Sequence, residues 1–193
     1  MFFLLIQGVE LLSTGVVLLP FFVFLHICYF RKAFHSLCCY ALALYWGTIY
    51  ALTGLPTIQF FIFDPYFYLI PFAGFFNDLA NSILNILLFV PIGLLLPMLC
   101  NSCCRFKNIM IIGFLCSLTI ELGQIFTYRV TDINDLITNA AGTALGYFLF
   151  NHISLTIKTQ LSVKDLFITA AVSVLTMFFF QQALSSYVFC LIF

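Results

Sequence analysis

The stretch that decides the fold is ILNILLFVPIGLLLPMLC, residues 83–100, which contains no charged side chain. A helix needs roughly 20 predominantly apolar residues to cross the hydrocarbon of a bilayer. Five other stretches have a similar length and character, at residues 11–30, 37–55, 109–126, 133–150 and 166–189. The sequence therefore predicts an all-α polytopic integral membrane protein, with about six transmembrane helices in one bundle and a single domain over residues 1–193.

The composition excludes an ordinary soluble domain. Of the 193 residues, 64% are hydrophobic and only 7% are charged, whereas soluble domains carry about 25% charged residues. Too few polar side chains are present to cover a globular surface. The formal net charge is zero, so nucleic acid is not an expected partner. We expect such a chain to be surrounded by membrane lipid and to have lipid as a partner.

The Lys and Arg residues predict the orientation. With six spans, every basic residue except Arg129 falls on one side of the membrane: Arg31, Lys32, Arg105, Lys107, Lys158 and Lys164. Cytoplasmic loops collect Lys and Arg, so both termini are predicted to be extracytoplasmic. A seventh span at residues 60–76 would reverse everything after it. It would also carry Asp64, Pro65 and Pro71 through lipid, and we therefore favour six spans.

A polar face in the fourth predicted span is the first functional signal. Ionisable side chains inside a membrane segment are costly and are candidates for function. Glu121 lies on the order of 10 Å below the outer end of its span, by the rise of a helix. The residues Ser117, Glu121, Gln124 and Tyr128 are spaced by four, three and four, which puts them on one helix face. That face must meet protein or a water-filled cavity.

The fifth predicted span begins with a polar run, TDIND at residues 131–135. Asp132 is predicted to cap the helix, because its short side chain can accept a hydrogen bond from a backbone N–H of the first turn. Asp135 and Asn139 continue one face of this helix. Gly142 and Gly146 follow on that face, four residues apart, and would let a neighbouring helix approach closely.

Three helices are predicted to bring polar groups to the same outer depth, because Asp78, Asn81 and Asn85 form a similar face at the start of the third span. The candidate ligand-binding pocket comprises Asp78, Asn81, Asn85, Glu121, Gln124, Arg129, Asp132, Asp135 and Asn139. We expect Arg129 to pair with Glu121 or Asp135. The alternative is a purely structural role, in which interhelical hydrogen bonds fix the helix register.

The joint between the second and third spans, residues 56–82, is rich in Phe and Tyr. Aromatic side chains concentrate in the headgroup region of membranes. Two interpretations stay open: the joint is an anchor lying on the outer leaflet, or it is a lid over the polar pocket.

Several of these motifs together resemble the VanZ-like family of bacterial membrane proteins, over about residues 40–150. The resemblance rests on LIPF at residues 69–72, NILLFVPIG at residues 85–93 and Pro97. It continues through a spaced set of polar and small residues: Glu121, Gln124, Arg129, Asp132, Asp135, Asn139, Gly142 and Gly146. Members of the family often have Asn before the LIPF run, where this chain has Tyr68.

The resemblance implies a bacterial cell-membrane protein linked to the cell envelope and to antibiotic resistance. The member that names the family is associated with reduced susceptibility to teicoplanin-type lipoglycopeptides. The corresponding function is a non-enzymatic protein whose outward-facing pocket binds a membrane lipid, a lipid-linked cell-wall precursor or a lipoglycopeptide.

Two other functions stay open at this point. In the first, the protein is an intramembrane enzyme acting on a lipid or polyprenyl-linked head group, with Glu121 and Asp135 as general base and acid. In the second, it is a small-molecule transporter. No cofactor is expected and no Cys or His spacing predicts a metal site, although a hard cation could bind to Asp78, Glu121, Asp132 and Asp135.

Overall fold

A computed structural model describes residues 2–63, 65–72, 79–153 and 161–192. Two short strands, β1 (Phe67–Tyr68) and β2 (Thr131–Asp132), pair in parallel. The long helices in these ranges are α1 (Phe2–Leu25), α2 (Ala33–Thr53), α3 (Leu79–Leu99), α4 (Phe106–Gln124), α5 (Ile133–His152) and α6 (Val163–Ile192).

The helices confirm the prediction of an all-α polytopic membrane protein. Within the described ranges, five of the six helices are long and apolar enough to cross a membrane, and α5 is the exception. The 20 residues of α5 have the length of a span but include several Asn, Asp and Thr side chains, which lower its hydropathy. The described residues between α2 and α3 are not helical, so they do not form the alternative seventh span.

The chain divides into two compact units, and the single domain expected from the sequence stays a prediction. One unit, Met1–Ile62 with Ser162–Phe193, contains α1, α2 and α6. Its three helices pack on one another around buried apolar side chains: Leu18, Phe22, Leu42, Ile49 and Met177. The α1 helix ends in a π-helical turn, His26–Phe30.

The starts of α2 and α6 are joined by polar contacts. Nε2 of His35 lies 3.3 Å from Oδ2 of Asp165. The same carboxylate accepts a hydrogen bond from the backbone N–H of Ser162 (2.8 Å), while the Asp165 N–H approaches Oγ of Ser162 (3.2 Å). Ser162 and Asp165 thereby form a reciprocal capping box, which satisfies two N–H groups at the start of α6.

The second unit, Phe63–Leu161, contains β1, α3, α4, β2 and α5. Its central feature is a very close crossing of α3 and α5. A Cβ atom at Gly142 would lie 2.2 Å from the carbonyl oxygen of Ile86, and one at Gly146 would lie 2.0 Å from that of Val90. A step of four residues along α5, from Gly142 to Gly146, matches a step of four along α3, from Ile86 to Val90. The two helices therefore run in the same direction. Only glycine at these positions permits such a separation.

The α3 helix supplies a glycine of its own to the crossing. A Cβ at Gly93 would lie 2.0 Å from the carbonyl oxygen of Thr143. The helix also contains Pro91 and Pro97 and continues through both of them. Membrane helices tolerate proline when neighbouring groups satisfy the freed backbone. The crossing therefore depends on three glycines distributed over two helices.

We expect Gly146→Ala to destabilise the protein, because the added methyl group would overlap the Val90 carbonyl. Overpacking of this kind costs about 1–3 kcal/mol. The midpoint of thermal unfolding in detergent measures the effect. Gly15→Ala in α1 is the matched control, since its Cβ would meet its nearest neighbour at an ordinary 3.5 Å. An equal response of the two variants would contradict the close crossing.

Candidate functional site

Glu121 is the most deeply buried of the candidate acids that the structure describes. It lies in the last turn of α4, and its residue is only 3% exposed. Oε2 of Glu121 accepts a hydrogen bond from the backbone N–H of Asp132 (3.0 Å), and its backbone carbonyl accepts one from Oγ1 of Thr131 (3.1 Å). The end of α4 is thereby joined to β2 through both its side chain and its main chain.

The residues of β2 and the start of α5 continue this network. Asp132 caps α5, as predicted, because its Oδ1 accepts a hydrogen bond from the Asn134 N–H (2.8 Å). Oδ1 of buried Asn134 accepts a hydrogen bond from the Phe72 N–H (2.7 Å). The Thr131 N–H donates to the carbonyl oxygen of Tyr66 (2.9 Å). The aromatic segment around β1 is therefore held by its main chain beside Glu121.

We call Glu121, Asp132 and Asp135 the acidic cluster. The negative charge of Asp135 acts on Glu121 more strongly than the charges of Asp132 and Arg129 do. The prediction that Arg129 pairs with Glu121 or Asp135 is wrong. Across the described residues the one ion pair joins His35 and Asp165, and Arg129 lies exposed in the turn between α4 and β2.

A second polar contact joins α4 to α5 about one helical turn away from the acidic cluster. Nδ2 of Asn139 donates to Oγ of Ser117 (2.9 Å), and both residues are buried. Oδ1 of Asn139 and Nδ2 of Asn85 are also buried, yet neither has a hydrogen-bond partner among the described residues. A buried polar atom without a partner is costly. These two atoms are one acceptor and one donor available to water or to a polar ligand group.

The other candidate residues differ in their placement. Gln124 is buried in the last turn of α4, whereas Asn81 is exposed in the first turn of α3. Tyr128 was predicted to extend the polar face of Ser117, Glu121 and Gln124, but α4 ends at Gln124 and Tyr128 is 66% exposed. Asp78 lies outside the described residues.

Two contributors were not among the predicted site residues. Thr131 and Asn134 form the hydrogen bonds that connect α4, β1 and α5. Their signal was present in the TDIND run, since Thr, Asp and Asn beside a helix start favour local side-chain to backbone bonds. The run predicts the Asp132 cap and the position of Asp135, but its Thr131 and Asn134 hydrogen bonds were not predicted.

Within the described part of the chain, the acidic cluster does not have the ligand set of a metal centre. There, no three His, Cys, Asp or Glu side chains lie together in a way that could hold a metal ion. What the cluster offers is a buried carboxylate with acidic neighbours and nearby amide groups. Such an arrangement favours ligand groups that donate hydrogen bonds or carry positive charge.

We expect Asp132→Ala to lower stability by about 1 kcal/mol, because it removes the cap of α5. Asp132→Asn should stay close to the wild-type unfolding midpoint, since Asn caps helices as well as Asp does. Thermal unfolding of the two variants in detergent separates the contribution of the cap from that of the charge. Equal midpoints for the Asn and Ala variants would contradict the capping role.

Comparison with known proteins supports the resemblance seen in the motifs. The model of the VanZ/LLP1 family matches residues 34–155, which is more than half of the chain and includes the acidic cluster and the α3–α5 crossing. Neither a curated protein nor a solved structure gives a significant match. The VanZ-like assignment is confirmed, and the chain belongs to the VanZ/LLP1 family as a multi-pass membrane protein.

Proposed function

We propose that the acidic cluster binds the polar head of a membrane-associated amphiphile, either a lipid-linked cell-wall precursor or a lipoglycopeptide of the teicoplanin type. Binding of either would alter the access of such antibiotics to the cell surface. Family membership supports a membrane protein of this kind. The link to teicoplanin, to resistance and to the bacterial cell envelope is part of the proposal.

The observation that carries the proposal is that the buried carboxylate of Glu121 has few hydrogen-bond donors and no cationic partner among the described residues. A buried carboxylate ordinarily has a cationic partner or several hydrogen-bond donors. The carboxylate of Glu121 accepts one hydrogen bond from the described residues, that of the Asp132 N–H, and forms no ion pair with them. Two further acids, Asp132 and Asp135, belong to its charged surroundings. An ammonium, amide or hydroxyl group of a ligand would supply the missing donors.

The aromatic segment supports an amphiphile rather than a fully water-soluble ligand. Tyr66 and Phe67 lie beside β2, and they are 70% and 52% exposed. Their main chain is bound to the site while their rings point away from a packed core. Exposed rings of this kind partition into the headgroup region. The anchor and lid interpretations agree on one consequence, which is that the site lies where lipid tails and head groups meet.

The orientation belongs to the proposal as well. We propose that the acidic cluster faces the extracytoplasmic side and that both termini lie on that side. Exposed basic residues stand at the predicted cytoplasmic ends of the helices: Arg31, Lys32, Arg105, Lys107 and Lys164. Cytoplasmic loops are enriched in such residues, which supports this sidedness. Lys158 lies outside the described residues.

We expect Glu121→Gln to fold and insert normally but to bind a fluorescent teicoplanin derivative about 10- to 100-fold more weakly. The estimate corresponds to loss of one charge-assisted hydrogen bond, about 1.5–3 kcal/mol. Binding is measured with the full chain in lipid nanodiscs, together with the antibiotic susceptibility of expressing cells. Wild-type binding and susceptibility in the variant would remove Glu121 from the site.

Asp165→Asn is the matched control for this experiment. It also removes a buried carboxylate, but one that pairs with His35 rather than lying in the acidic cluster. Binding should therefore be unchanged. The alternative of an intramembrane enzyme predicts a chemically altered lipid head group after incubation with wild-type protein and none with Glu121→Gln. Mass spectrometry of extracted lipid distinguishes that result from binding alone.

Sidedness is tested with introduced cysteines, because the native ones are poor reporters. Cys39 and Cys103 are buried, and burial, together with the neighbouring Cys100 thiol, raises the pKa of Cys103 to about 12. We expect Tyr128→Cys to react with an impermeant maleimide on intact cells. Ser102→Cys should react only after permeabilisation.

Both variants are made in a background in which the exposed Cys28 and Cys190 are replaced by Ala, and that background serves as the blank. Tyr128 and Ser102 are both exposed, at opposite ends of α4, so the two positions differ mainly in predicted side. The reverse labelling pattern would invert the orientation and place the acidic cluster in the cytoplasm.

A further inference from the structure

A groove between α1 and α2 belongs to the unit that contains α1, α2 and α6. Its volume is about 300 Å³, at the lower end of the range for small-molecule sites, about 300–1,000 Å³. Phe22, Val23, Leu37 and Tyr40 form much of its wall. Val23 and Leu37 are 50% and 61% exposed, so the groove opens towards the surroundings of the helices and offers them an apolar surface.

One end of the groove is polar. Nδ1 of His26 lies 2.7 Å from Oγ of Ser36, and both residues line the groove. The Ser36 hydroxyl donates its proton to the carbonyl oxygen of Lys32 (3.1 Å). Nδ1 of His26 must therefore be the donor to Ser36. Nε2 of His26 forms no hydrogen bond within the described chain, so in the neutral ring it can accept a hydrogen bond from a hydroxyl or another donor group.

Two exposed cations, Arg31 and Lys32, directly follow the π-helical turn His26–Phe30 in the chain reversal between α1 and α2. The π-helical turn ends at Arg31, which has a left-handed backbone with φ of 57° and whose N–H donates to the His26 carbonyl (3.0 Å). A left-handed conformation is uncommon for any residue with a side chain. π-helical turns are frequent at functional sites. The turn places Arg31 and Lys32 next to the polar end of the groove.

We propose that this groove binds one acyl chain of an anionic phospholipid, with the lipid phosphate held by Arg31 and Lys32. The surface has the amphiphilic order of a phospholipid, with apolar walls that lead to a basic end. Basic side chains next to membrane helices attract anionic head groups. Two cations with no acid in the groove lining complement a head group of net negative charge better than a zwitterionic one.

The test uses native mass spectrometry of the full-length protein in detergent, titrated with phosphatidylglycerol or phosphatidylcholine. We expect the wild-type protein to retain phosphatidylglycerol preferentially. The double variant Arg31→Gln/Lys32→Gln should bind it roughly 25-fold more weakly, since each juxtamembrane charge contributes about fivefold. Arg105→Gln/Lys107→Gln, which removes the same charge from the start of α4, is the control and should retain wild-type affinity.

A groove-filling variant tests the apolar part separately. Leu37→Trp places a larger side chain in the wall of the groove at an exposed position, so we expect an unchanged unfolding midpoint and weaker binding of phosphatidylglycerol. Several results would overturn the proposal. These are equal retention of the two lipids, equal losses in the two charge variants, wild-type binding by Leu37→Trp, or a dimer that binds no lipid.

Discussion

The close crossing of α3 and α5 is the constraint on which the Phe63–Leu161 unit depends. Between membrane helices the surrounding lipid provides no hydrophobic driving force, so association relies on packing and hydrogen bonds. Gly93, Gly142 and Gly146 let the two backbones come together where any Cβ would overlap a carbonyl oxygen. This contact fixes the register of the helices. It therefore sets the depth of Asn139, which in turn reaches Ser117 on α4.

The two units satisfy their buried acids in different ways. Asp165 accepts a hydrogen bond from Ser162 and pairs with His35, so its environment is completed by the chain itself. Glu121 has the Asp132 N–H, two acids nearby and no ion pair with the described residues, although the charge of exposed Arg129 also acts on it. A carboxylate of the first kind contributes to helix capping and packing. One of the second kind keeps a capacity for an external donor, which is why we base the proposed function on Glu121.

Much of the fold could be predicted from apolar runs and helix periodicity, because a span has a fixed minimum length and a polar face recurs every three or four residues. The Asp132 cap followed from local chemistry in the same way. The prediction of a continuous polar face was wrong at Tyr128, because α4 ends four residues earlier, at Gln124. The β1–β2 pair and the exposed position of Arg129 could not be predicted. Two-residue strands have no period, and an ion pair depends on distances that spacing in the sequence does not determine.

The parallel pairing of β1 with β2 also has a consequence for biosynthesis. Phe67 and Thr131 are partners, yet the whole of α3 and α4 separates them along the chain. At about 5–20 residues per second, the ribosome delivers the second strand some 3–13 s after the first. Until then the aromatic segment has no partner for its main chain. The β1–β2 pair can therefore form only after the helical hairpin between its two strands has been synthesised.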